Sequence, residues 1–327
     1  MHTFEIGRAQ LAPEFAEAVY DTKEEREEEL LGRNNVVGVG LGNKFTDGVD
    51  TGERCIQVFV DHKVDVDMLP VKDRVPKTLN KQPTDVIAVG PIFAGEPTGA
   101  IAVSPQALEG RRRPAMGGDS VGHYQITAGT AGAGCYDAEI MPGIPRRYYI
   151  LSNNHVLANS NGANIGDPIY QPGPFDGGTA DDIIGRLARY VPITFDGSCN
   201  LVDAALAEVD FRDFTREIYY QGYVNHNYAP VNINDVVQKT GRTTNFTTGR
   251  VLSVNATVNV NYGSGKVAKF CKQIITTTMS AGGDSGSLVL DTDENAIGLL
   301  FAGSTSVTII NNIGYVQSLL GVRLTEK

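Results

Sequence analysis

The chain has 327 residues, 41% of them apolar and 20% charged, with 37 glycines and no tryptophan, the composition of a globular protein long enough for two domains or for one large domain with an extension. Its formal charge of −10 would repel nucleic-acid phosphates and argues against such a partner. No apolar run reaches the length of a membrane helix and Met1-His2-Thr3-Phe4-Glu5 carries no signal-peptide pattern, so a cytoplasmic location without membrane contact is expected.

Residues 13–32 read as a helix. Pro13 suits its first turn, no breaker occurs from Glu14 to Glu29, and Gly32 is placed to stop it. The acidic run Glu24–Glu29 reads as a solvated face. Val36–Phe45, Cys55–Asp61 and Val86–Phe93 are β-like and bounded by Gly, Pro or Asp, completing a small α+β domain over 1–104. Alternating glycines in Val37–Gly42 leave one strand face bare, so a neighbour approaches that backbone closely; a packing helix is expected there. A phosphate is the sharper alternative, but G-x-G-x-x-G spacing and a following helix start are both absent.

A linker is expected over 105–122, carrying Pro105, Arg111-Arg112-Arg113-Pro114 and Gly117-Gly118. The arginines read as a solvated patch, with a proteolytic site as the alternative. Gly117-Gly118-Asp119-Ser120 imitates a nucleophile loop, but no glycine follows Ser120. Four cysteines, Cys55, Cys135, Cys199 and Cys271, lack C-x-x-C spacing; this disfavours zinc and, in a cytoplasmic protein, predicts small, buried, reduced thiols. The glycosylation-type triplets at Asn245 and Asn255 are read as chance.

From about His123 the chain becomes a series of short β-like runs divided by Gly, Asn, Asp and Pro. They include 124–127, 147–152, 182–189, 204–209, 236–240, 249–260, 269–277, 286–290, 296–301 and 307–310, a pattern that suggests a barrel or sandwich. Three of these stretches carry chemistry. Tyr148-Tyr149-Ile150-Leu151-Ser152-Asn153-Asn154-His155-Val156-Leu157 is a β-type run delivering a histidine. Asn200-Leu201-Val202-Asp203-Ala204-Ala205-Leu206-Ala207 sets a carboxylate in an apolar segment, where burial unpaired would cost several kcal/mol. Pairing with His155 would satisfy it. Asp181 and Asp182 are rivals, but the glycines before them suggest a surface loop. Gly282-Gly283-Asp284-Ser285-Gly286-Ser287-Leu288-Val289 supplies a serine between glycines that let the backbone turn sharply. A serine hydroxyl becomes a nucleophile only when a base takes its proton and donors receive the developing charge. The order His155, Asp203, Ser285 is not that of an α/β-hydrolase, and Ser287 breaks G-x-S-x-G.

Over residues 120–327 these motifs resemble the trypsin/chymotrypsin clan of serine proteases, nearest its bacterial branch; the histidine stretch resembles the "LTNNHV" form of HtrA-like enzymes. The whole chain, with its Asn35–Gly42 start, Lys239-Thr240-Gly241-Arg242-Thr243-Thr244 and Leu299–Ser304, also resembles bacterial trypsin-like peptidases related to the plant NARROW LEAF 1 protein. The resemblance implies a mainly β, two-barrel chymotrypsin-like domain over 123–327, with His155 and Asp203 on the first barrel and Ser285 on the second. It implies a serine endopeptidase acting through an acyl-enzyme, with backbone N–H groups of Gly283 and Ser285 as oxyanion hole and Asp284 shaping the loop. No "IVGG"-like start precedes the barrel, so a loop ordered without cleavage fits better than zymogen activation. Met279 would lie near the bottom of the primary pocket and Phe301-Ala302-Gly303 along its wall, implying preference for apolar or small side chains. No metal or organic cofactor is expected, and activity should fall in acid as His155 protonates. The expected partners are protein or peptide substrates, with a homo-oligomer allowed. Rival readings are a catalytically silent protease-fold binding protein and a protease limited to self-processing.

Overall fold

In a computed structural model, the described residues are 15–95, 108–126, 128–138 and 147–325. Met1 to Glu5, Pro13, Glu14, Pro105 and Thr127, which enter the readings above, lie outside them. Helix α1 (Glu17–Leu31) stops at Gly32, whose N–H closes on Glu28 O at 3.0 Å. Its acidic run is not simply solvated. Glu24 meets Lys272 at 2.8 Å, Glu28 meets Lys269 at 2.6 Å, and the fully buried Lys23 pairs with Glu27.

Strands β1 (Val36–Thr46) and β2 (Val49–Val60) form an antiparallel hairpin, and β3 (Gln82–Ala88) joins β2 in parallel. Val39, Leu41 and Val58 share a core with Val19 and Leu30 of α1. The bare face of Gly38, Gly40 and Gly42 is filled differently from expectation. Strand side chains, not a helix, occupy it: a Cβ at Gly38 would lie 2.8 Å from Val258, one at Gly40 would collide with Ser253, and one at Gly42 with Gln57. The short β4 (Phe93–Ala94) follows.

The first barrel contains β5 (Ser120–His123), β6 (Ala133–Asp137), β7 (Tyr148–Ser152), β8 (Pro168–Tyr170), β9 (Ile183–Tyr190) and β10 (Ala205–Val209), in the sheet order β6-β7-β10-β9-β8-β5. The run expected at 124–127 thus lies at 120–123. Every residue of β7 is buried, and its two faces serve different cores. Tyr148 and Ile150 pack with Ala205 and Ala207, while Tyr149 and Leu151 pack with Leu206, Leu288 and Leu299. A strand so covered reads as a continuous apolar run.

The second barrel contains β11 (Val236–Gly241), β12 (Asn245–Asn261), β13 (Val267–Thr277), β14 (Leu288–Asp291), β15 (Ala296–Gly303) and β16 (Val307–Asn312). Its sheet closes on itself in the order β13-β16-β15-β14-β11-β12-β13, because the 17-residue β12 pairs first with β11 and then with β13. Helix α3 (Ile313–Leu320) starts with the Asn312 side chain accepting from Gly314 N–H and buries Ile313, Val316 and Leu320 between the barrels. This is the mainly β, two-barrel architecture that the resemblance implies.

Among the described residues, β-pairing ties the segments on either side of the expected linker to the barrels. β1 pairs with β12, with Gly38 opposite Val258, so the N-terminal segment extends the sheet of the second barrel. Ala115–Gly117 pairs in parallel with Phe214–Ile218. The arginine run is solvated at Arg111 but also tied down: Arg111 meets Asp182 at 3.0 Å, Arg112 lies over the Tyr219 ring, and Arg113 donates to Gln171 O and Asp182 O. The expectation of four reduced cysteines is corrected. Cys199 and Cys271 form a disulfide across a separation of 72 residues, brought together where Cys199 pairs beside β13; Cys55 and Cys135 are free and buried. Among the described residues no helix is long and apolar enough to cross a membrane.

Candidate active site

Strand β7 ends at Ser152, and the chain turns at once into the single helical turn Asn154–Leu157, here called α2. Asparagine side chains hold that turn. Asn153 donates to Asp203 O at 2.7 Å, and Asn154 donates to Val191 O at 2.7 Å and to the Asn161 side chain at 2.8 Å. The turn sets His155 against Asp203 twice: the backbone N–H reaches Oδ1 at 3.1 Å and Nδ1 meets Oδ2 at 2.6 Å.

Asp203 is fully buried, and Tyr262 donates its hydroxyl to Oδ2 at 2.7 Å. The Asp203 N–H in turn donates to the Asn311 side chain at 2.9 Å. A buried carboxylate is tolerated because its lone pairs are filled in this way. Burial, reinforced by the neighbouring carboxylate, pushes the Tyr262 phenol well above its ordinary pKa and keeps it a donor. With Nδ1 donating to Asp203, a neutral His155 presents Nε2 as an acceptor. Nε2 is buried and has no hydrogen-bond partner among the described residues.

The Ser285 loop is held from both barrels. Gly283 and Gly286 take φ of +95° and +97°, backbone that side chains disfavour. Between them Asp284 is fully buried and accepts from Thr243 N at 2.9 Å, Thr244 N at 3.1 Å, Thr244 Oγ1 at 2.5 Å and Ala281 N at 3.0 Å. Lys239, also fully buried, reaches Asp284 at 3.2 Å. Burial lowers the Lys239 pKa and the Asp284 carboxylate opposes that shift. From the first barrel, Thr130 Oγ1 donates to Gly283 O at 2.9 Å and Thr130 N to Ser285 O at 2.7 Å. A Cβ on Gly286 would strike Ser152 Oγ, three residues before His155. Among the described residues, neither the Gly283 nor the Ser285 N–H donates to a protein acceptor. The Ser285 hydroxyl donates at 3.5 Å to Phe301 O, and it makes no hydrogen bond to His155 in this conformation.

His155, Asp203, Gly283, Asp284 and Ser285 therefore gather where the barrels meet, with Phe301, Ala302 and Gly303 on adjoining β15. Met279 does not join them. It is buried in the α1-side core with Val237 and Leu300, whereas Phe301 and Ala302 belong to another cluster, the Phe301 ring 4.6 Å from that of Phe270. Asp181 and Asp182 lie in a short turn capped by Thr179, away from His155. Tyr262 and Thr130 are additions that no motif signalled, and Lys239, which stands in one of the segments that carry the resemblance, had no role assigned to it. Among the described residues no group of three or more His, Cys, Asp or Glu side chains could hold a metal ion.

No protein-family model and no curated protein matches this chain. Among solved structures, it is similar to Protease A of Thermobifida fusca at 18% identity and TM-score 0.44, over 64% of this chain and 96% of that one. It is similar to chymotrypsin of Cellulomonas bogoriensis at 16% identity and TM-score 0.42, over 65% of this chain and 98% of the other. A glutamic acid-specific serine protease is similar at 21% identity and TM-score 0.45, covering 64% of this chain and 100% of its own.

Proposed function

We propose that this chain is a serine endopeptidase. Ser285 Oγ attacks the peptide carbonyl while its proton passes to His155 Nε2, and the N–H groups of Gly283 and Ser285 receive the oxyanion. The tetrahedral intermediate collapses as His155 returns that proton to the departing amine, leaving an acyl-Ser285. A water, deprotonated by His155, then repeats the sequence in reverse and frees the acid. Asp203 keeps the imidazole oriented and favours its charged form, and Tyr262 keeps Asp203 in place. Substrates with apolar or small side chains next to the scissile bond fit Ala302 and Gly303.

The observation that carries this reading is the pairing of His155 with the fully buried Asp203, bonded through Nδ1 so that Nε2 is left as an acceptor with no partner among the described residues. Its test is labelling by a fluorophosphonate, which reacts readily only with an activated serine. Wild type should label at Ser285, and His155→Ala should lose the labelling. Ser285→Ala should lower peptide hydrolysis by at least about a thousandfold. A wild-type protein inert to the probe and to a broad peptide panel would refute the reading. One observation favours a second, catalytically silent reading: the Ser285 hydroxyl bonds to Phe301 O rather than to His155. Turnover requires a swing of that side chain about χ1, an ordinary change of rotamer.

A further inference from the structure

β4 follows the N-terminal strands and pairs with two strands of the second barrel, in parallel with β12 at Asn261 and antiparallel with β15. Ile92 is buried beside Phe59 and Phe301, and its carbonyl accepts from Asn261 N–H at 2.9 Å. Phe93 and Ala94 then pair antiparallel with Gly303 and Ala302. The next residue along β15 is Phe301, whose carbonyl holds the Ser285 hydroxyl. Gly95, the next residue along β4, lies against the catalytic imidazole: a Cβ there would be 3.6 Å from His155 Nε2. On β15 one edge is taken by β16 through Gly303, whereas β14 pairs only as far as Leu299. The remaining edge of Ala302-Gly303 is the one β4 occupies. An extended peptide binds a free strand edge through main-chain hydrogen bonds, and an antiparallel one here would run toward Ser285.

We propose that Phe93–Gly95 is a built-in occupant of the acyl side of the substrate groove. The chain holds its own strand where a substrate strand must lie, and peptides bind only when β4 leaves. This rests on the peptidase reading and deepens it, because the occupant also names the preferred substrate: an extended segment with an aromatic residue, then alanine, then glycine closest to Ser285. β4 is two residues long, both are only half-buried, and the second barrel closes through β12 and β13 without it, so we expect its release to leave the barrels intact. Apparent affinity for substrate is reduced by the fraction of molecules in which the groove is vacated.

The groove can be read without chemistry. In a Ser285→Ala background, a fluorescein-labelled Gly-Pro-Ile-Phe-Ala-Gly peptide, copied from residues 90–95, should bind the added Ala94→Pro variant at least about tenfold more tightly than its parent, by fluorescence polarisation. A Phe93→Ser, Ala94→Gly double variant, which weakens the strand without a proline, should behave alike if Ala94→Pro misfolds. With Ser285 present, either change should lower KM for a Phe-Ala-Gly-containing peptide anilide about tenfold while kcat stays within about twofold. Equal peptide binding and equal KM, in variants that melt with wild type, would overturn the proposal. Tighter peptide binding with no hydrolysis by any form would support the occupied groove and count against the peptidase reading alone.

Discussion

Asp203 accepts three hydrogen bonds on its two carboxylate oxygens, two from His155 and one from Tyr262. A hydrogen bond to a charged group is worth about 1.5–3 kcal/mol. Tyr262→Phe keeps the ring, which packs edge-on to Phe195 and stacks on Phe270, and removes only the donor. The expected result is a fall in kcat of about tenfold with KM little changed and a melting temperature lowered by several degrees, checked by steady-state kinetics beside a thermal scan. Lys239 acts at the other half of the site. Lys239→Met would leave the Asp284 carboxylate buried without its cation, an arrangement that costs about 3–5 kcal/mol. Denaturant unfolding should show that loss, and fluorophosphonate labelling of Ser285 should slow because the loop loses its anchor. His155, Asp203 and Ser285 were legible because the type of each residue and its immediate neighbours announce its chemistry. The roles of Tyr262 and Lys239 were not, although Lys239 stands in a quoted segment: each meets its carboxylate across dozens of residues of chain, and a tyrosine or lysine in a β-run carries no local mark of its distant partner.

The same divide separates the elements from their partners. β7, β10 and β15 stand close to where apolar runs and turn residues predict them, since burial on both faces is written directly into the sequence. Which strand lies beside which is decided by closure of the barrel. Cys199 and Cys271 were therefore read as separate thiols, although pairing beside β13 brings their Cα atoms to 5.8 Å. Closing a loop of that length restricts the unfolded chain by about 4 kcal/mol in the entropic picture. A Cys199→Ser, Cys271→Ser variant should lose stability of that order in urea unfolding, and reductant should destabilise wild type but not the variant. Docking of α1 carries a pH signature. Burial pushes the Glu24 carboxyl up, but the Lys23 charge and hydrogen bonds from Lys272 and Asn255 outweigh it and hold the pKa at about 2, below the ordinary 4.5. A depressed acid stabilises the folded state above its unfolded pKa, and that contribution fades as pH falls from 4.5 toward 2. The stability gap between wild type and Glu24→Gln should accordingly be widest above pH 4.5 and close in acid.

At the scale of the whole molecule, composition and strand punctuation conveyed a β-rich chain with a helix at its front, but suggested a front domain that could be detached. β-pairing and a shared core tie that segment to the second barrel. β12 is flanked by β1 along Gly38–Gly42, and Val36, Val39 and Leu41 share one core with Val251, Val254 and Ile274 of the second barrel. A chain starting near Arg113 would lose α1 and β1–β4, bare one edge of β12, and strip Lys269 and Lys272 of their glutamate partners. A long unpaired edge beside uncovered apolar side chains is a template for aggregation. The same truncation also removes β4, so a vacated groove would favour activity while the exposed sheet opposes folding. Stability should win. The truncated chain is expected to elute as aggregates in size-exclusion chromatography and to lack the cooperative melt of the full chain, whereas Ala94→Pro, which vacates only the groove, should remain monodisperse. A truncated protein that is monodisperse, melts with the full chain and hydrolyses peptides faster would show that the second barrel folds without its added strands, and that the segment before Arg113 serves the groove alone.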